Sequence, residues 1–434
     1  MTGKAPIVGF AGMSHLGLLS AAGAAAKGFS VVGYDPDSRL IGAIQSGDLP
    51  VVEPELDALV ADHGERLRFT DDVTALRDCD LVFVARDVPT DDHGQSDLEP
   101  IRALIGDIEG ALSQTSVLTI LCQVPPGFTR SLDRAGDRLC YLVETLIFGD
   151  AVQRTLAPER FIVGLDNPGD GVPAALSDYL EAYGCPVLPM RYESAELAKI
   201  SINLYLAASV STTNSIAEIC ERVGAEWSEI APALRLDRRI GPHAYLGPGL
   251  GIAGGNIERD MASAIGLASR HGTDARVIES YVANSAYRKD WPLRTLSQAV
   301  LSRMENPRIA VLGLAYKAGS DSVKNSPALV LLDALQGCDV AAWDPVVPVD
   351  RTWHHGLTQL DSALAAVSGA DAVVVMTPWD EFRALVPDML AREMRGDVLV
   401  DPYRILDAEA ALAAGLSYHG LGSRPRRTSQ SEPA

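Results

Sequence analysis

The sequence predicts an α/β protein with two Rossmann-like, doubly wound domains joined by a helical segment. Short apolar runs alternate with helix-like stretches at 7–11, 29–34, 81–85, 117–121 and 161–164, and the alternation returns at 309–314, 340–343, 372–376 and 398–400. Uninterrupted apolar strands of this kind are buried on both faces of a parallel sheet. Between the two series, 194–223 and 260–287 carry apolar residues at helical spacing instead. A chain of 434 residues is also too long for one core. The expected division is 1–190, 191–300 and 301–422, followed by a polar tail, 423–434, rich in Ser and Pro and expected to be disordered.

Hydrophobic content of 47% and charged content of 22% are ordinary for a globular protein, and the net charge of −20 argues against a nucleic-acid partner. Cys79, Cys122, Cys140, Cys185, Cys220 and Cys338 show no paired spacing, so neither a metal site nor a disulfide framework is expected. Reduced thiols and a cytoplasmic location follow. The Ala/Gly-rich stretch after Lys4 imitates a signal peptide, but it carries a strand-turn-helix pattern that explains it better.

That pattern begins with the strand 7–11 and the turn GMSHLG, 12–17. A helical stretch and a second strand follow, closing on Asp35. This is a dinucleotide-binding unit, with the pyrophosphate on the helix N-terminus. Gly12, Ser14, His15, Leu16 and Gly17 form the turn, and Asp35 accepts from the adenosine ribose. Its charge repels a 2′-phosphate, so the cofactor is NAD. Ser14 stands where the fingerprint has its middle glycine. The loop 86–94, with Pro89 and Thr90, ends the strand 81–85, where ligands bind in such sheets. In the helical segment Lys199 and Asn203 are one turn apart. The glycine-rich stretch 249–260, GLGIAGGNIERD, lets the backbone approach a ligand closely, and places Asn256 and Asp260 on one face if helical.

Together these pieces resemble the UDP-glucose/GDP-mannose dehydrogenase family of NAD-dependent nucleotide-sugar 6-dehydrogenases. The resemblance runs from Ile7 to about Gly422. It rests on PTDDHG (89–94), VPPG (124–127), K-x-x-x-N (199–203), DRRIG (237–241), GLAYK (313–317) with SPA (326–328), and TPWDEF (377–382). It implies a homodimer through the helical dimerisation segment and a small nucleotide-sugar or nucleoside substrate; no apolar run reaches membrane-spanning length, so no membrane partner is expected. Pro89, Thr90, Gln123 and Lys324 join the cofactor set. Glu144, Lys199, Asn203, Arg239, Tyr245, Gly249, Gly251, Tyr316, Lys317 and Arg404 form the substrate set. Lys199, Asn203, Asp260, Asn256 and Glu144 are the expected catalytic residues.

The departures bear on the reaction. The family's loop reads G-G-S-C-F-P-K-D, and its cysteine position falls on Asn256. An amide nitrogen is not a nucleophile. Cys122-Gln123 replaces Ser-Thr, Phe148 replaces an acid, and Lys324 replaces an arginine. The retained residues fit one alcohol oxidation, with an aldehyde or ketone product. Asp260 with Lys199 takes the hydroxyl proton, and Lys199 with Asn203 stabilises the developing alkoxide. The alternatives are a four-electron oxidation through the aldehyde hydrate, a transient oxidation in an epimerase, and a non-catalytic nucleotide-sugar binder. For the cofactor, Asp35→Ala is expected to weaken NAD and narrow its advantage over NADP in parallel binding titrations.

Overall fold

The computed structural model of the chain describes residues 5–91, 96–144, 146–147 and 149–426. By compactness the chain forms two units, Met1–Ile202 and Asn203–Ala434. The division falls within one long helix, Tyr192–Val223.

Among the described residues, the strands of the first unit form one eight-stranded sheet in the order β3-β2-β1-β4-β5-β6-β7-β8. The strands are β1 (Ile7–Ala11), β2 (Ser30–Tyr34), β3 (Leu67–Thr70), β4 (Leu81–Val84), β5 (Val117–Ile120), β6 (Leu139–Leu142), β7 (Phe161–Leu165) and β8 (Val187–Arg191). All neighbours pair in parallel except β6 and β7. Every residue of β4 and β5 is buried, as expected of central strands covered on both faces. The edge strand β8 is largely open to solvent, and Pro189 within it offers no N–H to a further strand.

The Ala/Gly-rich stretch is the helix His15–Ala26, whose residues are buried from His15 to Ala25. Its small side chains allow near contact with the helix Ala151–Leu156. A methyl at Gly23 would lie 2.1 Å from Thr155 Cγ2. Burial on all sides explains why this helix shows no polar face.

In the second unit the strands described form a six-stranded parallel sheet, ordered β11-β10-β9-β12-β13-β14. They are β9 (Arg308–Leu312), β10 (Asp339–Trp343), β11 (Leu357–Gln359), β12 (Ala372–Val375), β13 (Val398–Val400) and β14 (Ser417–His419). The order reverses between β9 and β12, as it does between β1 and β4 in the first sheet. Such reversals open a crevice at the carboxyl ends of the strands.

The helical run expected over 260–287 is two helices, Asn256–His271 and Arg276–Lys289. Gly272, at φ +65°, ends the first in a left-handed cap. The tail differs from expectation at its start. Ser423 is buried, and Arg426 exchanges backbone hydrogen bonds with Tyr418 at 2.9 and 3.0 Å. Backbone pairing to a strand outweighs polar composition there, while 427–434 lie outside the described residues. No described helix is long and apolar enough to cross a membrane.

Candidate active site

The turn after β1 is built for close approach. Gly12 has φ +95°, and a methyl on Gly17 would lie 1.7 Å from the Gly12 carbonyl oxygen. No residue with a Cβ could start the helix this close to the strand end. Ser14 keeps its hydroxyl on the sheet side: Oγ accepts from the Asp87 N–H at 2.8 Å and faces the Ala85 carbonyl at 3.5 Å. The serine thereby ties the turn to the end of β4. Asp35 is buried and accepts from the N–H groups of Met13 and Asp37 at 2.8 and 3.0 Å. A carboxylate has about four acceptor positions, so two remain for ribose hydroxyls. These residues fit a dinucleotide.

His15 and Leu16 are buried in the first turn of the helix. The imidazole Nε2 of His15 lies 3.3 Å from Glu53 Oε2, and Glu53 Oε1 accepts from the Ala151 N–H at 3.0 Å. Glu53 therefore joins the first turn of the cofactor helix to the first turn of Ala151–Leu156. Pro89 and Thr90 open the loop after β4. The Pro89 carbonyl accepts from the Asp97 N–H at 2.9 Å, and Thr90 bridges to Ser96. Residues 92–94 of the expected PTDDHG motif lie outside the described residues, as does Phe148. Gln123 is half-buried beside the fully buried Cys122.

Lys199 lies on the long helix and donates from Nζ to the Glu144 carbonyl oxygen at 2.5 Å. The Glu144 carboxylate lines a cavity with Ser20, Arg154, Arg160, Tyr179 and Tyr183. Burial, with the charge of Glu144 among the lesser causes, raises the phenols of Tyr179 and Tyr183 above their ordinary range. One turn beyond Lys199, Asn203 donates to Asp260 Oδ2 at 2.5 Å.

In the second unit the glycine-rich stretch is a loop running into the helix Asn256–His271. Its backbone is held from several sides. The Gly249 N–H donates to Asn214 Oδ1 at 2.8 Å, and the Ile252 N–H to Ser285 Oγ at 2.8 Å. Gly251 lies over the Ser285 carbonyl, where a methyl would come within 2.5 Å. Gly254, at φ +90°, packs on the Tyr316 ring, which a methyl would meet at 2.5 Å. The Lys324 side chain runs past Gly255. Asn256 and Asp260 are one helical turn apart but in different settings. Asn256, the first helical residue, is exposed, whereas Asp260 is 0% exposed, with Arg259 Nε 3.5 Å from its Oδ1.

Glu258 carries no motif, yet it fixes this helix start. Its carboxylate accepts from the Gly255 N–H at 3.1 Å, Asn325 Nδ2 at 2.7 Å and Lys289 Nζ at 3.0 Å. The local part is one half of a capping box, the acid three residues after the cap reaching back to the Gly255 N–H; the long-range partners have no sequence signature. The other residues of the expected substrate set are spread over the unit. Arg239 is exposed and pairs with Asp237 at 2.7 Å. Tyr245 is exposed, and its carbonyl accepts from Ser209 and Thr213. Lys317 Nζ stands 5.8 Å from the centre of the Tyr316 ring. Arg404 has φ +53° and faces Glu226 at 3.4 Å.

All six thiols titrate above their ordinary range, burial being the largest cause in each case. Cys79, Cys122 and Cys140 are pushed up to about 12. The thiolate is the nucleophilic form, so none of these is an activated nucleophile.

Comparison with known proteins agrees with this architecture. The NAD binding, central and UDP binding domain models of the UDP-glucose/GDP-mannose dehydrogenase family match residues 7–178, 193–285 and 310–408. The UDP-glucose 6-dehydrogenase of Rhizobium meliloti is 32% identical over 429 residues, covering 95% of this chain and 98% of that protein. The UDP-glucose 6-dehydrogenase of Haloferax volcanii is 31% identical, over 94% of this chain and 98% of that protein. The fold is shared with a UDP-glucose dehydrogenase from the hyperthermophilic archaeon Pyrobaculum islandicum, at a TM-score of 0.85 and 24% identity, over 98% of this chain and 99% of that one. With all three domain models matched along nearly its whole length, the chain belongs to the UDP-glucose/GDP-mannose dehydrogenase family and is an NAD-dependent dehydrogenase of CH–OH groups.

Proposed function

We propose that the protein oxidises the sugar or nucleoside alcohol of a nucleotide substrate in one two-electron step, giving an aldehyde or ketone. What supports this reading is Asn256, which falls at the family's cysteine position when the motif is aligned on Asp260. A lone pair delocalised into the amide cannot attack an aldehyde carbon. The raised pKa of every cysteine supports the same reading, since no thiol elsewhere is activated in its place. The matched UDP binding domain and the relatives named UDP-glucose 6-dehydrogenases support a uridine diphosphate sugar as the substrate class.

NAD, when bound, accepts the hydride. The chain's own residues handle the proton and the oxygen. Asp260, fully buried and oriented by Asn203, is the proton acceptor. Lys199 is tethered through the Glu144 carbonyl, and its ammonium charge stabilises developing negative charge on the substrate oxygen. Asn256 hydrogen-bonds that oxygen without forming a covalent bond. We also propose a homodimer through the helices of the second unit. Tyr205, Val223 and Leu236 are exposed there, and large apolar side chains left in water mark an association surface. A monomer in light scattering at micromolar concentration would refute the dimer.

A panel of uridine and guanosine diphosphate sugars with NAD is expected to yield one NADH per substrate consumed, with no covalent adduct in intact-mass spectra. Two NADH and an acid product would establish the hydrate route instead. Asn256→Ala should cost about 1–3 kcal/mol of transition-state binding, read as a fall in kcat/KM. Asp260→Asn should cost more, because it removes the proton acceptor.

Thiol chemistry gives an independent check. A thiol whose pKa is raised holds less thiolate at pH 8, so it reacts more slowly. Native protein titrated with a disulfide reagent at pH 8 is expected to show no thiol reacting faster than free cysteine. A single rapid thiol whose blocking abolishes activity would contradict both the raised pKa values and the assignment of Asn256.

A further inference from the structure

We propose that Glu196 is a positioning residue of the cofactor site, holding the turn after β5 against the nicotinamide half of NAD. Glu196 lies in the second turn of the long helix, one turn before Lys199, and is 0% exposed. Each of its carboxylate oxygens takes a backbone donor from that turn: Oε2 from the Gly127 N–H at 2.6 Å, and Oε1 from the Thr129 N–H at 2.8 Å. Burial pushes its carboxyl above the ordinary range, while the donors at Thr129 and Gly127 pull the other way. A buried carboxylate is costly unless its acceptor positions are filled, and here they are filled by one loop.

Side chains hold part of that loop: Val124 and Phe128 are buried, and the Arg102 guanidinium stands over the Phe128 ring. Pro125 and Pro126 contribute no N–H, and Gly127 adopts φ +94°. Within it, the Phe128 N–H reaches the Pro125 carbonyl at 3.1 Å. The left-handed turn at Gly127 presents the N–H groups of Gly127 and Thr129 to one acceptor pair, and Glu196 supplies it. Removing the side chain leaves two donors unmatched and the loop without its anchor on the helix.

The position of the loop gives this anchor its function. In the sheet order β3-β2-β1-β4-β5, Asp35 at the end of β2 marks the adenosine side. A dinucleotide laid across the reversal between β1 and β4 therefore carries its nicotinamide over β4 and β5. The turn after β5, which includes Gln123, is on that side. Glu196 and Lys199 share a helix face one turn apart. The same helix thus sets both the turn under the nicotinamide and the ammonium group tied to Glu144.

The test compares two ligands that differ only in the nicotinamide. Affinities of NAD and ADP-ribose are measured by calorimetry for the wild-type protein, Glu196→Gln and Glu196→Ala. Loss of a buried hydrogen-bond partner predicts roughly a tenfold or greater weakening of NAD in Glu196→Ala, with ADP-ribose within about twofold of wild type. Glu196→Gln keeps the volume and one acceptor oxygen, so an intermediate loss confined to NAD is expected. If Glu196→Ala does not fold, Glu196→Gln alone decides. Equal weakening of both ligands would assign Glu196 to general stability and overturn the proposal, as would unchanged NAD affinity.

Discussion

Backbone N–H groups gathered by buried carboxylates at the carboxyl ends of strands are the interaction on which both units depend. Asp35 follows β2 and Asp344 follows β10, the corresponding strand of the second sheet. Each receives the turn that leaves the preceding first strand. Their occupancy differs. Asp344 accepts from the N–H groups of Leu314, Ala315, Val346 and Val347 and from the Trp379 indole. Asp35 accepts from Met13 and Asp37 only, among the bonds described. A carboxylate with about four acceptor positions is filled in the first case and half-filled in the second. One topology used twice thus leaves carboxylate acceptor positions open in the first sheet and fills them from within the protein in the second.

Much of this was legible in the sequence, for physical reasons. Strands such as β1, β4 and β12 are buried on both faces and read as continuous apolar runs, and the glycine turn and Asp35 sit at fixed distances from them. Lys199 and Asn203 are visible because helical spacing is local. The strands β3, β8 and β14 are short or mixed in polarity, so no run announces them. β8 is half-exposed and contains Pro189, and β14 reads only Ser-Tyr-His. Glu53, Glu196 and Glu258 escaped notice for a different reason. Glu53 meets His15 from 38 residues away, and Glu196 meets Thr129 from 67. Such pairings have no period and exist only once the chain is folded. The composition of 423–426 pointed to disorder because two backbone bonds to Tyr418 cannot be read from side chains.

The start of the helix Asn256–His271 shows how these themes meet. A helix N-terminus carries partial positive charge and favours an anion in its first turn. A thiolate at position 256 would use that field. Asn256 does not, being neutral. The negative charge in this turn is instead Glu258, which accepts the Gly255 N–H and is in turn held by Lys289 and Asn325. The carboxylate that satisfies the helix start is thereby bound within the protein, where it cannot act on a substrate. The exposed amide is left as a neutral hydrogen-bonding group beside a loop shaped by Tyr316 and Ser285. Asp260, one turn further in, is buried with Asn203 donating to Oδ2 at 2.5 Å and Arg259 Nε 3.5 Å from Oδ1. The turn therefore holds two different groups along one face of the helix: an exposed neutral amide at Asn256 and a buried carboxylate at Asp260.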